Sequence, residues 1–340
     1  MSIFTPKKAK KASFLQQIQP LNVEDEKRKF LFDALYNPQF EYDEPVPAEK
    51  LLRHGQIHED YLPLATKILD TVIAKYGKES NYLEEAKGRL LNRDESVTVI
   101  QKFLDHNNLS PLVKMSFSSQ FAARTALKRS GTNFSLQIRT PLHYRENSLQ
   151  GMLNHEIGTH LFRWINEMDQ AWHEHRSEYG LHNDYLLTEE GLATLSGLIA
   201  HPEPYMWSPA LNYWLVAEGS RSSFSQLNQK LKKYVDSPER RWRYCLKVKR
   251  GVEDTSLPLV FTKSQIYLRG ALLVLRWLHT NNYNVLPLYL GKVSLSDLPQ
   301  AEKKSTHQAI LPDFYQNTGE YIPKLQKVTE INGLESLFRA

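Results

Sequence analysis

Residues 149–163 read Leu149-Gln150-Gly151-Met152-Leu153-Asn154-His155-Glu156-Ile157-Gly158-Thr159-His160-Leu161-Phe162-Arg163. A histidine–glutamate pair followed by a second histidine is the pattern of a metal-binding helix, which must present both imidazoles on one face. The familiar spacing is i and i+4. Here His155 and His160 stand at i and i+5, which on a regular α-helix leaves them about 140° apart. One extra residue taken up as a π-type widening would realign them. Gly158 makes such a distortion cheaper, at a cost of roughly 1 kcal/mol in helix propensity. Met152, Leu153, Ile157, Leu161, Phe162 and Ile165 make the surroundings apolar. On an ideal wheel Glu156 and His160 share the face of Leu149 and Leu153, where an unpartnered carboxylate is costly. A metal supplies the partner; a plain surface helix is the competing reading. The helix is expected from Ser148 to about Met168.

A zinc site of this kind needs a third protein ligand and an open position for water. Thr188-Glu189-Glu190-Gly191-Leu192-Ala193 is the best source. Thr188 is expected to cap a helix running to about Ala200, with both glutamates in its first turn, where negative charge is favoured. Simple acidic capping would leave the same trace. Glu190 lies 35 residues past His155, enough chain to return on a second helix. Cobalt and manganese remain open, although two histidines and a carboxylate suit zinc best. His173 and His175 are two residues apart, point apart on a helix, and read as part of a polar loop.

Upstream, Leu64, Ile68, Val72, Ile73 and Tyr76 form a helical stripe ended by Gly77, and a further helix is expected after Ser96. Val113, Met115 and Phe117, and then Phe134, Leu136 and Ile138, alternate with polar residues as half-buried strands do. The fold class is therefore α+β: mostly helical, with a small sheet just ahead of the long helix. The chain has 340 residues, 41% hydrophobic and 24% charged, an ordinary globular composition. No apolar run approaches the ~20 residues of a membrane span, and the basic start is followed by no apolar segment, so neither membrane nor secretory signal is expected. One cysteine, Cys245, excludes an internal disulfide and a cysteine-rich zinc site; it reads as a buried bystander in a reducing, cytoplasmic setting. Net charge is +5, part of it from Lys7, Lys8, Lys10 and Lys11. Residues 1–24 are expected to be a basic, flexible tail and residues 25–340 a single catalytic domain. No nucleic-acid motif accompanies the tail, so a nucleic-acid partner is not expected.

Asn154–Arg163 and Thr188–Ala193 together resemble the microtubule-associated tyrosine carboxypeptidase family, which includes bacterial relatives named for a Gln-Glu-Gly-Leu-Ala motif. Similar segments at Asn37–Tyr42, Pro141–Glu146, Tyr267–Gly270 and Leu288–Leu295 extend the resemblance over about residues 35–300. The first position of the motif is Glu189 here rather than Gln, which leaves Glu190 in place. The resemblance implies a gluzincin-like zinc metallocarboxypeptidase that removes a C-terminal, tyrosine-like residue from a protein or peptide. It implies that His155, His160 and Glu190 hold one Zn2+ and that Glu156 is the catalytic base. Such an enzyme must also read a free carboxylate, a task suited to arginine. Arg269, in Tyr267-Leu268-Arg269-Gly270, and Arg145 are the candidates, with Tyr267 beside them. Strand Asn133–Arg139, if it is a sheet edge, offers a place for an extended substrate. Arg163, Arg176, Lys247, Lys249 and Arg250 are basic residues that would favour an acidic, tubulin-like tail. A zinc endopeptidase or aminopeptidase, and a non-catalytic binder of acidic polymers, are the alternatives.

Overall fold

The computed structural model describes residues 13–131 and 133–338. Helix forms where apolar residues recur at three- and four-residue spacing, and one sheet interrupts the succession. In Leu62–Tyr76, for example, Ala65, Ile68, Leu69, Val72 and Tyr76 are buried along one stripe, and the helix stops at Gly77. The architecture is mostly helical with a small sheet before the histidine helix, as the pattern predicts. None of the described helices is long and apolar enough to cross a membrane.

The sheet has three strands: β1 (Val113–Ser118), β2 (Thr125–Ser130) and β3 (Asn133–Arg139), in the order β1-β3-β2. β3 runs parallel to β1, with Val113 opposite Phe134, and antiparallel to β2, with Thr125 opposite Ile138. Two expectations change here. β2 was not foreseen, because Thr-Ala-Leu-Lys-Arg-Ser carries a single large apolar residue. β3 is the central strand, so both its edges are already paired and it has no free edge for a substrate.

The helix starts also differ from the sequence reading. The histidine helix opens at Glu146, not Ser148, and Leu186–Leu198 opens two residues before Thr188. Thr188 is not a cap; its hydroxyl accepts from the Leu295 amide at 3.0 Å. Ser96 lies inside Arg93–His106, whose cap is Asn92 in a reciprocal pair with Glu95. Of the segment expected to be a tail, the residues from Ser13 onward are partly helical and partly buried. Phe14–Gln17 and Val23–Phe32 are helical, and Ile18 is wholly buried against Leu51, Val252 and Phe261. Lys7, Lys8, Lys10 and Lys11 lie outside the described residues. Cys245 is buried as expected, and burial pushes its thiol up to about 12.

One large core carries buried residues from Phe30 to Leu334. At its centre the helix Leu186–Leu198 is buried on almost every face, which its near-continuous small and apolar sequence permits. Two glycine pairs fix its neighbours. A Cβ on Gly191 would lie 2.2 Å from the carbonyl carbon of Gly270, on the helix Ile266–Thr280. A Cβ on Gly151, on the histidine helix, would lie 2.7 Å from the carbonyl oxygen of Gly197. Backbone therefore meets backbone on both sides, and the side chains of all three helices converge. Gly191→Ala should cost at least about 2 kcal/mol, since neither helix can yield by a rotamer change. Urea unfolding measures this, and an unchanged midpoint would show that the helices part freely.

Candidate metal centre

The histidine helix is built in three parts: α-helix Glu146–Leu153, π-helix Asn154–Leu161 and α-helix Phe162–Met168. The wide turns supply the realignment that the i, i+5 spacing demands. Side chains stabilise the altered ladder. The Thr159 hydroxyl donates to the Asn154 carbonyl at 3.2 Å, and the Tyr289 hydroxyl to the Gly158 carbonyl at 3.0 Å. Asn154 in turn donates to the Ser196 carbonyl at 3.1 Å, tying the widened segment to the glutamate helix. The His155 and His160 rings come to 4.9 Å between centroids. Glu156 lines the cleft beside His155, with no hydrogen bond or ion pair among the described residues.

His155, His160 and Glu190 form a group able to hold a metal ion. Glu190 Oε2 is 3.5 Å from His155 Nε2 and 3.8 Å from His160 Nε2. Ligands about 2.0–2.1 Å from a tetrahedral ion stand about 3.3 Å apart, so two imidazoles and a carboxylate fit a zinc-like ion with little movement. The glutamate helix also orients both rings. Glu189 Oε1 lies 2.8 Å from His160 Nδ1, and the Ala193 backbone bonds the His155 ring. Each ring therefore directs Nε2 towards Glu190, the arrangement by which outer partners fix a ligating histidine. Burial would raise the Glu190 carboxyl, but His155 and His160 outweigh it and bring it down to about 2.

Glu189 is fully enclosed and its charge is matched from two directions. Arg163 Nη1 and Lys292 Nζ both donate to it. Arg163 is wholly buried; its other nitrogens donate to the carbonyls of Gly291 at 3.0 Å and Val293 at 2.7 Å. Burial would raise the Glu189 carboxyl, but Lys292 and Arg163 hold it well below the usual carboxylate range. A Gln at this position would bond His160 but would give the two cations no counter-charge.

The site opens on a cleft. One cavity of about 790 Å³ is lined by His155, Glu156 and Tyr267 and by several cations, among them Arg124, Arg145 and Lys247. A second, of about 710 Å³, shares Arg124, Arg243, Lys247 and Tyr267 with it and adds Arg250 and Lys263. Glu190, burial and Glu156 together push the Tyr267 hydroxyl well above the ordinary phenol range, so it remains a hydrogen-bond donor.

These residues lie within a stretch shared with known proteins. The profile of a family described as microtubule-associated tyrosine carboxypeptidase matches residues 47–331. The chain belongs to the microtubule-associated tyrosine carboxypeptidase family. Microtubule-associated tyrosine carboxypeptidase 1 of Rattus norvegicus is 33% identical over 330 residues, covering 96% of this chain and 70% of the relative. The Homo sapiens protein of the same name is 33% identical over 331 residues, with the same coverage.

Within this family member, His155, Glu156, His160, Glu190 and Tyr267 come together, and Arg269 does not join them. Two residues beyond Tyr267 on a helix is about 200° of rotation, and the Arg269 guanidinium lies instead by Gly55. Arg145 reaches the cleft wall, but its Nη1 donates to the Gly88 carbonyl at 2.6 Å. Of the other basic residues singled out, Lys247 and Arg250 line the cleft. Arg163 is taken by Glu189, Arg176 by Glu167 at 2.5 Å, and Lys249 by three backbone carbonyls. His175 bonds Glu178 at 3.2 Å, away from this centre. Sequence reasoning missed the orienting role of Glu189 and the part played by Lys292; an acidic residue next to a ligand glutamate was the available signal.

Glu189→Gln should destabilise the fold by about 3 kcal/mol, because Arg163 and Lys292 lose their counter-charge. It should also weaken the affinity of the His155–His160–Glu190 group for an added divalent metal about 10-fold through looser control of His160. Denaturant unfolding and competition with a chromophoric chelator read the two effects separately.

Proposed function

We propose that this chain is a zinc-dependent metallocarboxypeptidase, with residues 25–340 as its catalytic domain, that removes a tyrosine-like residue from an acidic C-terminal tail. The observation that carries the reading is the His155–His160–Glu190 group, with Glu156 free beside it, at the head of a cationic cleft. The relatives' name, tyrosine carboxypeptidase, supports both the reaction and the residue removed.

Zinc bound there would polarise the scissile carbonyl and acidify a water. Glu156 is positioned to take the proton from that water and to return it to the leaving amine, as a general base and then a general acid. Its carboxylate has no competing partner among the described residues, so it is free for that exchange. Tyr267, kept protonated, can donate a hydrogen bond to the carbonyl oxygen as negative charge develops on it. Arg124, Arg139, Arg243 and Lys247 line the cleft with positive charge suited to glutamate-rich tails. A buried thiol and the lack of a second cysteine suit the cytoplasm proposed for it.

An aminopeptidase would need an anionic pocket for the substrate's α-ammonium group, and the wall beside Tyr267 is cationic instead. Glu156→Gln should retain equimolar zinc and lose at least about 1000-fold in trimming of peptides ending in Glu-Glu-Tyr, followed by mass spectrometry. Normal turnover in that zinc-loaded variant would remove Glu156 from the mechanism. Internal cleavage of an amidated peptide would replace the exopeptidase reading with an endopeptidase. The Michaelis constant for acidic peptides should rise steadily with ionic strength, because the cleft attracts them through solvent-screened charge; a flat salt profile would refute the acidic-tail component.

A further inference from the structure

The helix Pro238–Lys249 and the residue after it place Arg240, Arg243, Lys247 and Arg250 three, four and three residues apart, all lining the cleft. Only Arg240 has a carboxylate of its own, a two-pronged pair with Glu79 at 2.8 Å. Lys247 donates to the neutral Asn212 side chain at 2.9 Å. Arg250 lies over the Phe261 ring at 5.1 Å, and its buried Nε has no acceptor. Lys263, from the turn Thr262–Gln265, enters the same cavity with no hydrogen bond or ion pair among the described residues. Lys247, Arg250 and Lys263 are thus cations gathered in one cavity, none of them bonded to a carboxylate of the described residues.

Their neighbours place them next to the chemistry. The Lys247 ammonium is 5.7 Å from the Tyr267 ring centre. Arg250 and Lys263 line the same cavity as Tyr267. Burial above all, then Arg250 and Lys263, bring the Lys247 ammonium down to about 8, with Glu190 opposing the shift. By standard bond lengths the terminal carboxylate carbon of a substrate lies within about 4 Å of the scissile carbonyl carbon. Its receptor must therefore adjoin the metal ligands. Arg269, remote by Gly55, does not meet that demand, and Arg145 stands on the cleft wall with one guanidinium nitrogen held by the Gly88 carbonyl.

We propose that Lys247, Arg250 and Lys263 form the receptor for the substrate's C-terminal carboxylate, a proposal that rests on the carboxypeptidase reading and assigns its exopeptidase specificity to these residues. Arg243, exposed and further along the same helix, is left for acidic side chains upstream.

The test uses zinc-loaded full-length protein carrying Glu156→Gln, so that peptides bind without turnover. Fluorescence anisotropy compares two peptides ending in Glu-Glu-Tyr, one with a free carboxylate and one amidated. The free acid should bind at least about 30-fold more tightly, as expected for a desolvated charge pair. Adding Lys247→Met, Arg250→Gln or Lys263→Met should each shrink that ratio about 10-fold, while Arg250→Lys restores part of it. Lys263→Met keeps the test decisive if a helix variant misfolds, and zinc content and thermal midpoint identify a misfolded variant. A ratio near one in the parent, or a ratio unchanged in the variants, overturns the proposal. Trimming by protein that retains Glu156 is measured in parallel. Trimming with unchanged ratios leaves the carboxypeptidase reading and removes this receptor; ratios that collapse as expected without trimming leave a carboxylate receptor and remove the reading.

Discussion

The geometry of the candidate metal-binding group depends on how closely three helices can approach. Gly191 meets Gly270, and Gly197 meets Gly151, with no side chain between them. The helix in the middle can then deliver a short carboxylate, Glu190, to imidazoles on one neighbour and face a tyrosine on the other. A separation larger by a methyl group would place Glu190 short of both rings. The Glu-Glu-Gly-Leu-Ala run thus has one structural logic: Glu189 aims one imidazole, Glu190 meets both, Gly191 permits the approach, and the Ala193 backbone aims the second imidazole.

Charge is distributed unevenly around that contact. Behind the histidines, Glu189, Arg163 and Lys292 form a closed and nearly dry set in which positive and negative groups satisfy one another. In front, along the helix Pro238–Lys249, most cations lack a carboxylate. Sharing one buried carboxylate between two cations, one of them also held by backbone carbonyls, gives the site rigidity, because moving any member exposes another without a partner. The unmatched charge in front is where the proposed acidic substrate would bind. The same residue types therefore serve opposite purposes a few ångströms apart, and what separates them is whether the chain itself supplies the partner.

Much of this was legible from spacing. Two histidines five apart, with a glutamate between and a Glu-Glu pair 34 residues downstream, constrain the backbone so strongly that a π-helical segment is the simplest solution. Strands with alternating apolar residues were equally plain. What escaped depends on distant parts of the chain. β2 is a strand because β3 lies beside it, not because Thr-Ala-Leu-Lys-Arg-Ser favours one. Lys292 reaches Glu189 across 103 residues, and no local pattern announces it. Thr188 looks like a cap but lies inside the helix, its hydroxyl accepting from the distant Leu295 amide. Arg269 was the natural choice for a carboxylate receptor until the phase of its helix was known. Ile18 belongs to a small cluster completed by Leu51, Val252 and Phe261, none of which is near it in sequence.

The π segment also behaves as a length reserve. A widened turn absorbs one residue without rotating the helix beyond it, which is why Phe162–Met168 resumes as ordinary α-helix and Arg163 still reaches Glu189. Measured in chain length, the histidine helix is a regular helix with one residue inserted between the ligands. Removing that residue would restore the shorter histidine spacing without disturbing the packing downstream. The long and short forms of the motif are then separated by a single codon, and a lineage could pass between them while keeping the rest of the site in register.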